Sequence, residues 1–292
     1  MPTPITHYKK TRIAPTPSGF LHLGNVLSFA VTATLARNSR AKILLRIDDL
    51  DQARVNKLYI QDIFDTLNFL NIPWDEGPLN AKDFEDNYSQ LHRMHMYREA
   101  LKQLAEEGLV FACTCSRSQL GNNSCNCINR EIPLSIENVS WRLKTSANKN
   151  IEVKNFNGNV ITAALPDEMK NFVVKKKDGF PAYQLTSVID DIFYNVDLVV
   201  RGVDLWPSTL AQQELSFAIR KGDFKDITFY HHPLLTEASG KKLSKSAGAT
   251  SVRYLRQSEK TAADVYKLIS SMLGINENID SWQQLAGLVV NR

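Results

Sequence analysis

Strand-like and helix-like segments alternate at the beginning of the chain, and this order constrains the fold more than any other feature. Residues 11–14 read as a short strand that ends in a proline-rich turn, and residues 26–37 are apolar enough for a buried helix. Residues 42–47, KILLRI, indicate a buried parallel strand, and residues 58–70 repeat apolar side chains, Leu58 included, near helical spacing. This strand–helix–strand–helix order predicts a parallel α/β sheet.

A different pattern begins near residue 111. Residues 111–180 are lysine-rich and weakly periodic, and all four cysteines lie at their start. We interpret this segment as an insertion, because strand and helix signals resume over residues 181–231. Residues 261–273 and 280–290 then have the apolar spacing of two short amphipathic helices.

The composition favours a folded, cytosolic protein. Apolar residues make up 43% of the 292 residues, enough for one large or two modest cores. The formal net charge of +4 permits a nucleic-acid partner but does not argue for one, because a neutral enzyme with one basic face gives the same sum. The N-terminus has no apolar secretory signal, and no apolar run approaches the roughly 18 residues of a membrane span. We therefore expect a cytoplasmic chain without membrane contact, whose cysteines are not paired in structural disulfides.

The tetrapeptide His22-Leu23-Gly24-Asn25 lies where a predicted strand gives way to a predicted helix. Gly24 lets the backbone approach a ligand closely, and the first turn of a helix offers N–H groups and a positive dipole end to phosphate. His22 can donate a hydrogen bond to a phosphate oxygen. The alternative interpretation is an ordinary helix cap with a satisfied histidine nearby.

A second basic motif, KLSKS at residues 242–246, follows the flexible pair Ser239-Gly240. Lysines on a mobile loop can stabilise the negative charge that develops on a leaving pyrophosphate. Taken alone, such a motif is more typical of a solvated basic loop. Residues 175–177 are three consecutive lysines, and we interpret them as a solvated turn rather than as part of a site.

Four segments together, in their order along the chain, carry a resemblance to a known family. They are RIAPTPSGFLHLGN at residues 12–25, LRIDDLD at 45–51, YQLTSVIDDIFYNVDLVVRGVDL at 183–205 and KKLSKS at 241–246. They resemble the glutamyl-tRNA synthetases, which are class I enzymes with a Rossmann-type catalytic domain. The resemblance spans roughly residues 10–250, and it implies a ligase that uses ATP and Mg²⁺ to activate L-glutamate as its adenylate.

The resemblance also implies which residues meet ATP. His22 and Lys245 would be catalytic. The nucleotide would contact His22, Gly24, Asn25, Lys242, Ser244 and Lys245. Asn25 departs from the histidine that ends this signature in the wider class, although the glutamyl family varies at that position.

Glutamate has two carboxylates and one ammonium group, so a selective pocket needs cationic donors and an acidic partner. The resemblance assigns glutamate binding to Arg12, Ala14, Thr16, Asp48, Tyr183 and Arg201. The two arginines would take carboxylates, and the tyrosine would add a hydrogen bond. Asp48 stands where the family usually has glutamate, so its shorter side chain leaves direct contact and a bridging water as alternatives. For Arg46 and Asp49 we prefer a structural ion pair near the sheet.

Cys113, Cys115, Cys125 and Cys127 form two C-x-C pairs separated by nine residues. Four thiolates in a short loop suit a tetrahedral structural Zn²⁺, which would leave no open coordination position for catalysis. A subgroup of the resembled family carries C-x-C and a later cysteine in this place. Free reduced thiols and a knuckle that has lost its metal are the alternatives.

On this resemblance, residues 1–110 and 181–246 are the two halves of the Rossmann-type catalytic domain, and the second half carries the KLSKS loop. Residues 111–180 are an inserted subdomain of the zinc-knuckle or acceptor type with the cysteine cluster. Residues 247–292 are a short helical stem, too small for an anticodon-binding domain.

Relatives that lack that domain and keep the cysteine pattern are the glutamyl-Q tRNA(Asp) synthetases. They activate glutamate without tRNA and esterify it onto queuosine in the anticodon loop of tRNA(Asp). We therefore expect ATP, L-glutamate and tRNA(Asp) as partners of a monomer. A short synthetase that charges the 3′ end of a tRNA and a non-catalytic RNA- or nucleotide-binding paralogue stay open as alternatives. Arg253, Arg256 and Lys260 are candidates for RNA phosphate contacts, with a solvated helix face as the simpler interpretation.

Overall fold

The computed structural model describes residues 7–116, 125–146, 150–235, 251–275, 277 and 279–290. The chain divides into two compact units. The first unit comprises Met1–His92, Val196–Asp204 and Phe229–Arg292, and the second comprises Arg93–Asn195 and Leu205–Thr228. The domain boundaries proposed from the sequence stay a prediction.

The strands of the described residues, in chain order, are β1 (Lys10–Ile13), β2 (Lys42–Leu45), β3 (Val110–Cys113), β4 (Ser140–Leu143), β5 (Asn150–Asn155), β6 (Val160–Ala164), β7 (Val173–Lys175), β8 (Leu198–Gly202) and β9 (Thr228–His232). The α-helices longer than one turn are α1 (Leu23–Ser39), α2 (Lys57–Phe69), α3 (Met94–Glu106), α4 (Tyr183–Phe193), α5 (Trp206–Ala218), α6 (Val252–Gln257), α7 (Ala262–Met272) and α8 (Trp282–Val290). Among the described residues, no helix has the length and apolar character that a membrane crossing requires.

A parallel sheet lies at the centre of the first unit. β1 pairs in parallel with β2, where Thr11 lies beside Ile43, and also with β8, where Thr11 lies beside Leu198. β9 follows β8, so the strand order in this unit is β2-β1-β8-β9. This arrangement confirms the parallel α/β sheet predicted from the alternation of segments.

α1 is apolar because both of its faces are buried: Val26, Leu27, Ala30 and Ala33 are almost completely inaccessible. It begins at Leu23 rather than at the predicted residue 26, since the residue before it caps the N-terminus. The helix ends where Arg40 adopts a left-handed conformation with φ of 60° and donates its N–H back to the last turn. α1 contacts β1, β2 and β8 and therefore covers the sheet.

The apolar face of α2 differs from the predicted one at its first turn. Leu58, which we expected in the core, is 58% exposed, whereas Ile60 is 3% exposed. Asn56 caps this end of the helix and is itself exposed, so the chain enters α2 from solvent. The charged side chain of Asp62 is buried, although nothing in the periodicity predicted it.

The two amphipathic helices predicted at the C-terminus are present as α7 and α8, and they pack against the first unit. α8 contacts α1 and α7. The Tyr266 hydroxyl donates to the Leu70 carbonyl at 2.6 Å, and Trp282 Nε1 donates to the Asn71 carbonyl at 2.9 Å. These bonds satisfy carbonyl groups at the end of α2 and join the C-terminal segment to that helix.

The second unit contains an antiparallel sheet of order β3-β4-β7 and the hairpin β5-β6. Two hydrogen bonds, of 2.9 and 3.1 Å, join the Arg93 guanidinium to the Asp190 carboxylate of α4, and the Tyr97 hydroxyl donates to the same carboxylate at 2.6 Å. Burial alone would lower the pKa of Arg93, but the bonds and charge of Asp190 prevail and raise it. This buried network joins α3 to α4.

Candidate functional site

His22 caps α1 with its side chain. Its Nδ1 accepts a hydrogen bond from Gly24 N at 3.1 Å, and the Asn25 side chain accepts one from the His22 backbone at 3.0 Å. Because Nδ1 is the acceptor, a neutral imidazole carries its proton on Nε2, which makes Nε2 a donor. The cap interpretation and the phosphate interpretation are therefore compatible, since the two ring nitrogens have different tasks.

Gly24 lies directly beside the His22 ring. A Cβ at residue 24 would lie 3.0 Å from His22 Cε1 and 3.1 Å from His22 Nδ1. These distances are shorter than ordinary van der Waals contact, so a larger residue would displace the imidazole from its capping position. Gly24 therefore leaves room for the capping imidazole, and its close approach to a ligand stays a prediction.

Two of the predicted glutamate-binding residues are buried arginines on neighbouring strands. Arg12 on β1 is 5% exposed, and its Nη1 donates to the Val200 carbonyl of β8 at 3.2 Å. Arg201 follows directly on β8, is 3% exposed, and lies over the Phe229 ring at 5.2 Å. Two guanidinium groups on neighbouring strands are of the type that binds carboxylates, since the planar guanidinium can donate two parallel hydrogen bonds to one carboxylate.

Asp48 lies beside the segment that follows β1. Its backbone N–H donates to the Pro15 carbonyl at 2.9 Å. Ala14 is half-buried and Thr16 is exposed, one residue to either side of that proline. The first unit therefore contains the predicted glutamate residues Arg12, Ala14, Thr16, Asp48 and Arg201.

The carboxylate of Asp48 forms a two-point ion pair with Arg46, at 2.7 Å from Nε and 3.0 Å from Nη2. Asp49 accepts hydrogen bonds from the Ser89 hydroxyl at 2.5 Å and from Gln90 N at 2.8 Å. Asp48 is thus a structural partner of Arg46, and its assignment to the substrate ammonium stays a prediction. Asp49 orders the segment that leads to the second unit.

The other predicted site residues include one in the second unit and three that the structure does not describe. Tyr183 is the first residue of α4 in the second unit and is 44% exposed. Lys242, Ser244 and Lys245 lie outside the described residues. Their roles stay predictions.

His231 is a residue of this region that the sequence analysis did not single out. Its ring stacks on Phe229, with centroids 6.2 Å apart and an interplanar angle of 12°. Burial first, and the charge of Arg201 second, lower the pKa of His231 to about 3. The imidazole is therefore neutral at physiological pH, next to a buried cation. The signal in the sequence was the histidine pair that ends β9, HHP, but only the fold brings it to Arg201.

The arginines proposed for RNA contacts have protein partners. Arg256 Nη2 lies 3.1 Å from an Asp62 oxygen and 3.5 Å from an Asp65 oxygen. The Arg253 guanidinium lies over the Phe20 ring at 4.5 Å. Lys260 is exposed. For Arg256 these contacts favour a structural role over phosphate binding, since its charge is already compensated.

The four cysteines form one cluster in the second unit. Their sulfurs lie within 4.8 Å of one another, with Sγ–Sγ distances of 3.3 Å for Cys113–Cys125, 3.8 Å for Cys115–Cys125 and 3.5 Å for Cys115–Cys127. Four thiolates around Zn²⁺, each about 2.3 Å from the metal, would have sulfurs about 3.8 Å apart. The residues therefore fit a tetrahedral zinc, and no disulfide joins them.

The lysine run at residues 175–177 leads from the end of β7 into a turn, and Lys177 is exposed there, as the interpretation of a solvated turn predicts. Lys177 Nζ donates at 2.6 Å to the carbonyl of Thr114, the residue between two of the cysteines. Lys175 Nζ lies 4.2 Å from the centroid of the Trp141 ring. The run is therefore solvated at Lys177, and two of its cations also have local partners.

Comparison with known proteins decides the family. The family described as "tRNA synthetases class I (E and Q), catalytic domain" matches residues 9–133 and 134–272. The chain belongs to this family of class I tRNA synthetases. It therefore has the class I catalytic fold predicted from the four motifs, and it belongs to a family of ligases.

Relatives within the class I family differ in how much of their length the chain spans. The chain is 33% identical to a glutamyl-Q tRNA(Asp) synthetase of Synechococcus sp. (strain CC9605), over 90% of this chain and 82% of that protein. It is 30% identical to a glutamate–tRNA ligase of Dehalococcoides mccartyi (strain CBDB1), over 87% of this chain but 53% of that protein.

A solved structure of the family supports the fold. The glutamate–tRNA synthetase of Elizabethkingia anophelis superposes with a TM-score of 0.73 at 20% identity, over 96% of this chain and 65% of that one. Such a likeness concerns the fold alone. The chain spans about half to two thirds of the glutamate–tRNA ligases it matches.

Proposed function

We propose that the chain activates L-glutamate with ATP and transfers the glutamyl group to queuosine in the anticodon loop of tRNA(Asp). The observation that carries the first half is the pair of buried guanidinium groups, Arg12 and Arg201, on neighbouring parallel strands. The similarity to a glutamyl-Q tRNA(Asp) synthetase across 82% of its length supports the second half.

In the activation step, a glutamate carboxylate oxygen attacks the α-phosphorus of ATP and pyrophosphate leaves. Arg12 and Arg201 would bind the two carboxylates and orient the attacking oxygen. Tyr183 would add a hydrogen bond. A neutral amide in place of the side-chain carboxylate would lose the charge-assisted hydrogen bonds to a guanidinium group, so glutamine should be rejected.

Recognition of the substrate ammonium depends on Asp48. Arg46 already engages both oxygens of this carboxylate, but each carboxylate oxygen can accept more than one hydrogen bond. Asp48 is shorter than the family's glutamate, and so we propose that a water bridges it to the ammonium.

The phosphates would lie at the N-terminus of α1. His22 Nε2 is a donor there, and the positive dipole end of the helix attracts the anion. Lys245, together with Mg²⁺, would stabilise the charge that develops on pyrophosphate. Gly24, Asn25, Lys242 and Ser244 would complete the nucleotide site.

The cysteine cluster would hold one structural Zn²⁺. When bound, the metal would cross-link a short loop and would take no part in catalysis, because four thiolates fill its coordination sphere. Cys113, the last residue of β3, and Cys127 are buried. The metal would therefore join the end of β3 to the segment that carries Cys127. We propose that the chain acts as a monomer in the cytoplasm, where its substrates are.

Labelled glutamate tests the proposal in two stages. The protein should exchange pyrophosphate into ATP with L-glutamate and Mg²⁺, without tRNA, and glutamine should support little exchange. Glutamate should then be transferred to tRNA(Asp) that contains queuosine and to an anticodon stem-loop fragment of it. The matched control is the same tRNA without queuosine.

A second candidate is a ligase that charges the 3′ end of a tRNA, which the similarity to glutamate–tRNA ligases favours. Equal charging of tRNA with and without queuosine, or loss of transfer after removal of the 3′ terminal adenosine, would establish this candidate instead. An absence of glutamate-dependent exchange both with and without tRNA would refute both and leave a non-catalytic binding protein.

A further inference from the structure

Asp62 is a charged residue buried on α2, a helix that none of the predicted site residues occupies. Its side chain is 2% exposed. A buried carboxylate is costly unless it is paired and hydrogen-bonded, so the partners of Asp62 indicate what the residue is for.

These partners come from two segments that are far apart in sequence. One carboxylate oxygen lies 3.1 Å from Arg256 Nη2 of α6, and the other accepts a hydrogen bond from the backbone of Leu21 at 3.4 Å. Leu21 immediately precedes His22, the residue that caps α1. Asp62 therefore contacts both the histidine segment and α6.

The same two segments also bond to each other directly. Val252 N donates to the Leu21 carbonyl at 2.8 Å, and His22 forms an isolated antiparallel bridge with Ser251. The backbone of Leu21 thus donates to Asp62 and accepts from α6. Three elements of the first unit, α2, α6 and the segment before α1, meet at this point.

We propose that Asp62, through its ion pair with Arg256, is a positioning residue that holds the His22 segment in the geometry that binds the ATP phosphates. We call the contacts of Asp62 with Arg256 and Leu21 the clasp. The inference rests on the proposed role of His22, but the clasp itself consists of contacts between described residues. A shift of the Leu21 backbone would move the adjoining cap of α1, because His22 orients the first N–H groups of that helix.

The charges around Asp62 suit a positioning role better than a stabilising one. Burial raises the pKa of the Asp62 carboxyl and is the largest influence on it. The Leu21 N–H and the charges of Arg256 and Arg253 lower this pKa, whereas the charge of Asp65 raises it. The pKa of Asp62 is raised overall. The ionised carboxylate is therefore a cost to folding that its partners only partly offset. Replacing it by a neutral isostere should spare the fold and loosen the clasp.

The Asp62→Asn variant tests this proposal. We expect the KM for ATP in glutamate-dependent pyrophosphate exchange to rise about tenfold, a typical loss for one charged hydrogen bond. The KM for glutamate and the melting temperature should stay close to those of the unmodified protein. Arg256→Gln should give the same change, the double variant should add little to it, and Arg256→Lys should restore part of the affinity.

Two control variants separate the clasp from general effects of charge on α2. Asp65→Asn removes the weaker, 44% exposed partner of Arg256, and Lys57→Gln removes an exposed ion pair with Glu85. Neither should change the KM for ATP. An Asp62→Asn protein that is folded and keeps its KM for ATP would overturn the proposal, as would a loss that the controls share.

Amide hydrogen exchange distinguishes failure of the clasp from failure of the proposed function. In Asp62→Asn, the amides of residues 21–26 should exchange faster, whether or not the protein binds ATP. If the unmodified protein shows no glutamate-dependent exchange of pyrophosphate, the proposed function fails while this measurement still tests the clasp. Unchanged protection of these amides would refute the clasp itself.

Discussion

Arg46 and Asp48 form a two-point ion pair in which both partners are buried. Arg46 Nε lies 2.7 Å from Asp48 Oδ1 and Nη2 lies 3.0 Å from Oδ2, and the side chains are 2% and 10% exposed. The acidic residue that the motif assigns to the substrate is thus also the counter-ion of a buried arginine. The proposed binding of the substrate ammonium would therefore be coupled to the integrity of the fold at Asp48.

Asp48→Ala should therefore destabilise the protein as well as impair glutamate binding. Removing one partner of a buried ion pair leaves the other charge uncompensated, and we expect the free energy of unfolding to fall by about 3–5 kcal/mol. Urea denaturation followed by circular dichroism measures the change. The control is Asp51→Ala, whose exposed pair with Arg54 should contribute about 1 kcal/mol or less. Equal effects of the two substitutions would contradict the coupling.

Tyr97→Phe should weaken the second unit without changing its shape. The hydroxyl donates to Asp190 at 2.6 Å, both residues are inaccessible to solvent, and the substitution leaves the carboxylate one hydrogen bond short. We expect a loss of about 1–3 kcal/mol in the free energy of unfolding. Tyr254→Phe, at a side chain that is 50% exposed, is the matched control and should be neutral. A neutral Tyr97→Phe would show that the network adds nothing to stability.

Metal analysis should find about one Zn²⁺ per chain. Cys113→Ser should lose the metal and increase amide hydrogen exchange near residues 111–116 and 125–130, because structural zinc contributes to folding. Chelation of the unmodified protein should have the same effect. A folded, metal-free protein with four titratable thiols would show that the cluster does not need zinc.

The stability of the protein should depend on His231 at mildly acidic pH. The pKa of this histidine is lowered from its ordinary value of 6.5 to about 3 in the folded chain, chiefly by burial. As pH falls below 6.5, His231 therefore binds a proton in the unfolded chain but not in the folded chain. The free energy of unfolding falls by at most about 1.4 kcal/mol per pH unit as a result.

His231→Gln should reduce the slope of the free energy of unfolding against pH between about 6.5 and 5, because the unfolded variant binds one proton fewer. Melting temperatures recorded across that range test the prediction. His95→Gln, at an exposed histidine, should keep the slope of the unmodified protein. A slope that His231→Gln leaves unchanged would mean that this imidazole is protonated in the folded state.

Lys245→Ala should lower the adenylation rate by roughly 10²-fold or more, a typical loss for one transition-state donor. Glutamate affinity should change less, since the lysine is expected at the phosphates. Pyrophosphate exchange at saturating substrates measures the rate, with Lys57→Gln as the control because it removes an exposed cation of the first unit. Loss of glutamate binding at an unchanged saturated rate would contradict the assignment.

Local pattern was sufficient for the sheet and for the motifs. The predicted strands at residues 11–14 and 42–47 lie within about two residues of β1 and β2, and the apolar run that follows the first strand is α1. Periodicity failed at Leu58, since a residue in the first turn of a helix can have apolar spacing and still point away from the core. The direction from which the chain enters a helix determines which side chains of its first turn are buried.

The sequence by itself determined the family, the parallel sheet, the motif residues and the grouping of four cysteines in one short segment. Those features depend on neighbours along the chain, where spacing and residue type are visible. Only the tertiary structure decided that Arg46 pairs with Asp48, that Asp62 links Arg256 to Leu21, and that His231 lies beside Arg201. Which charges meet depends on contacts between side chains and on burial, and the long-range ones join segments that only folding brings together.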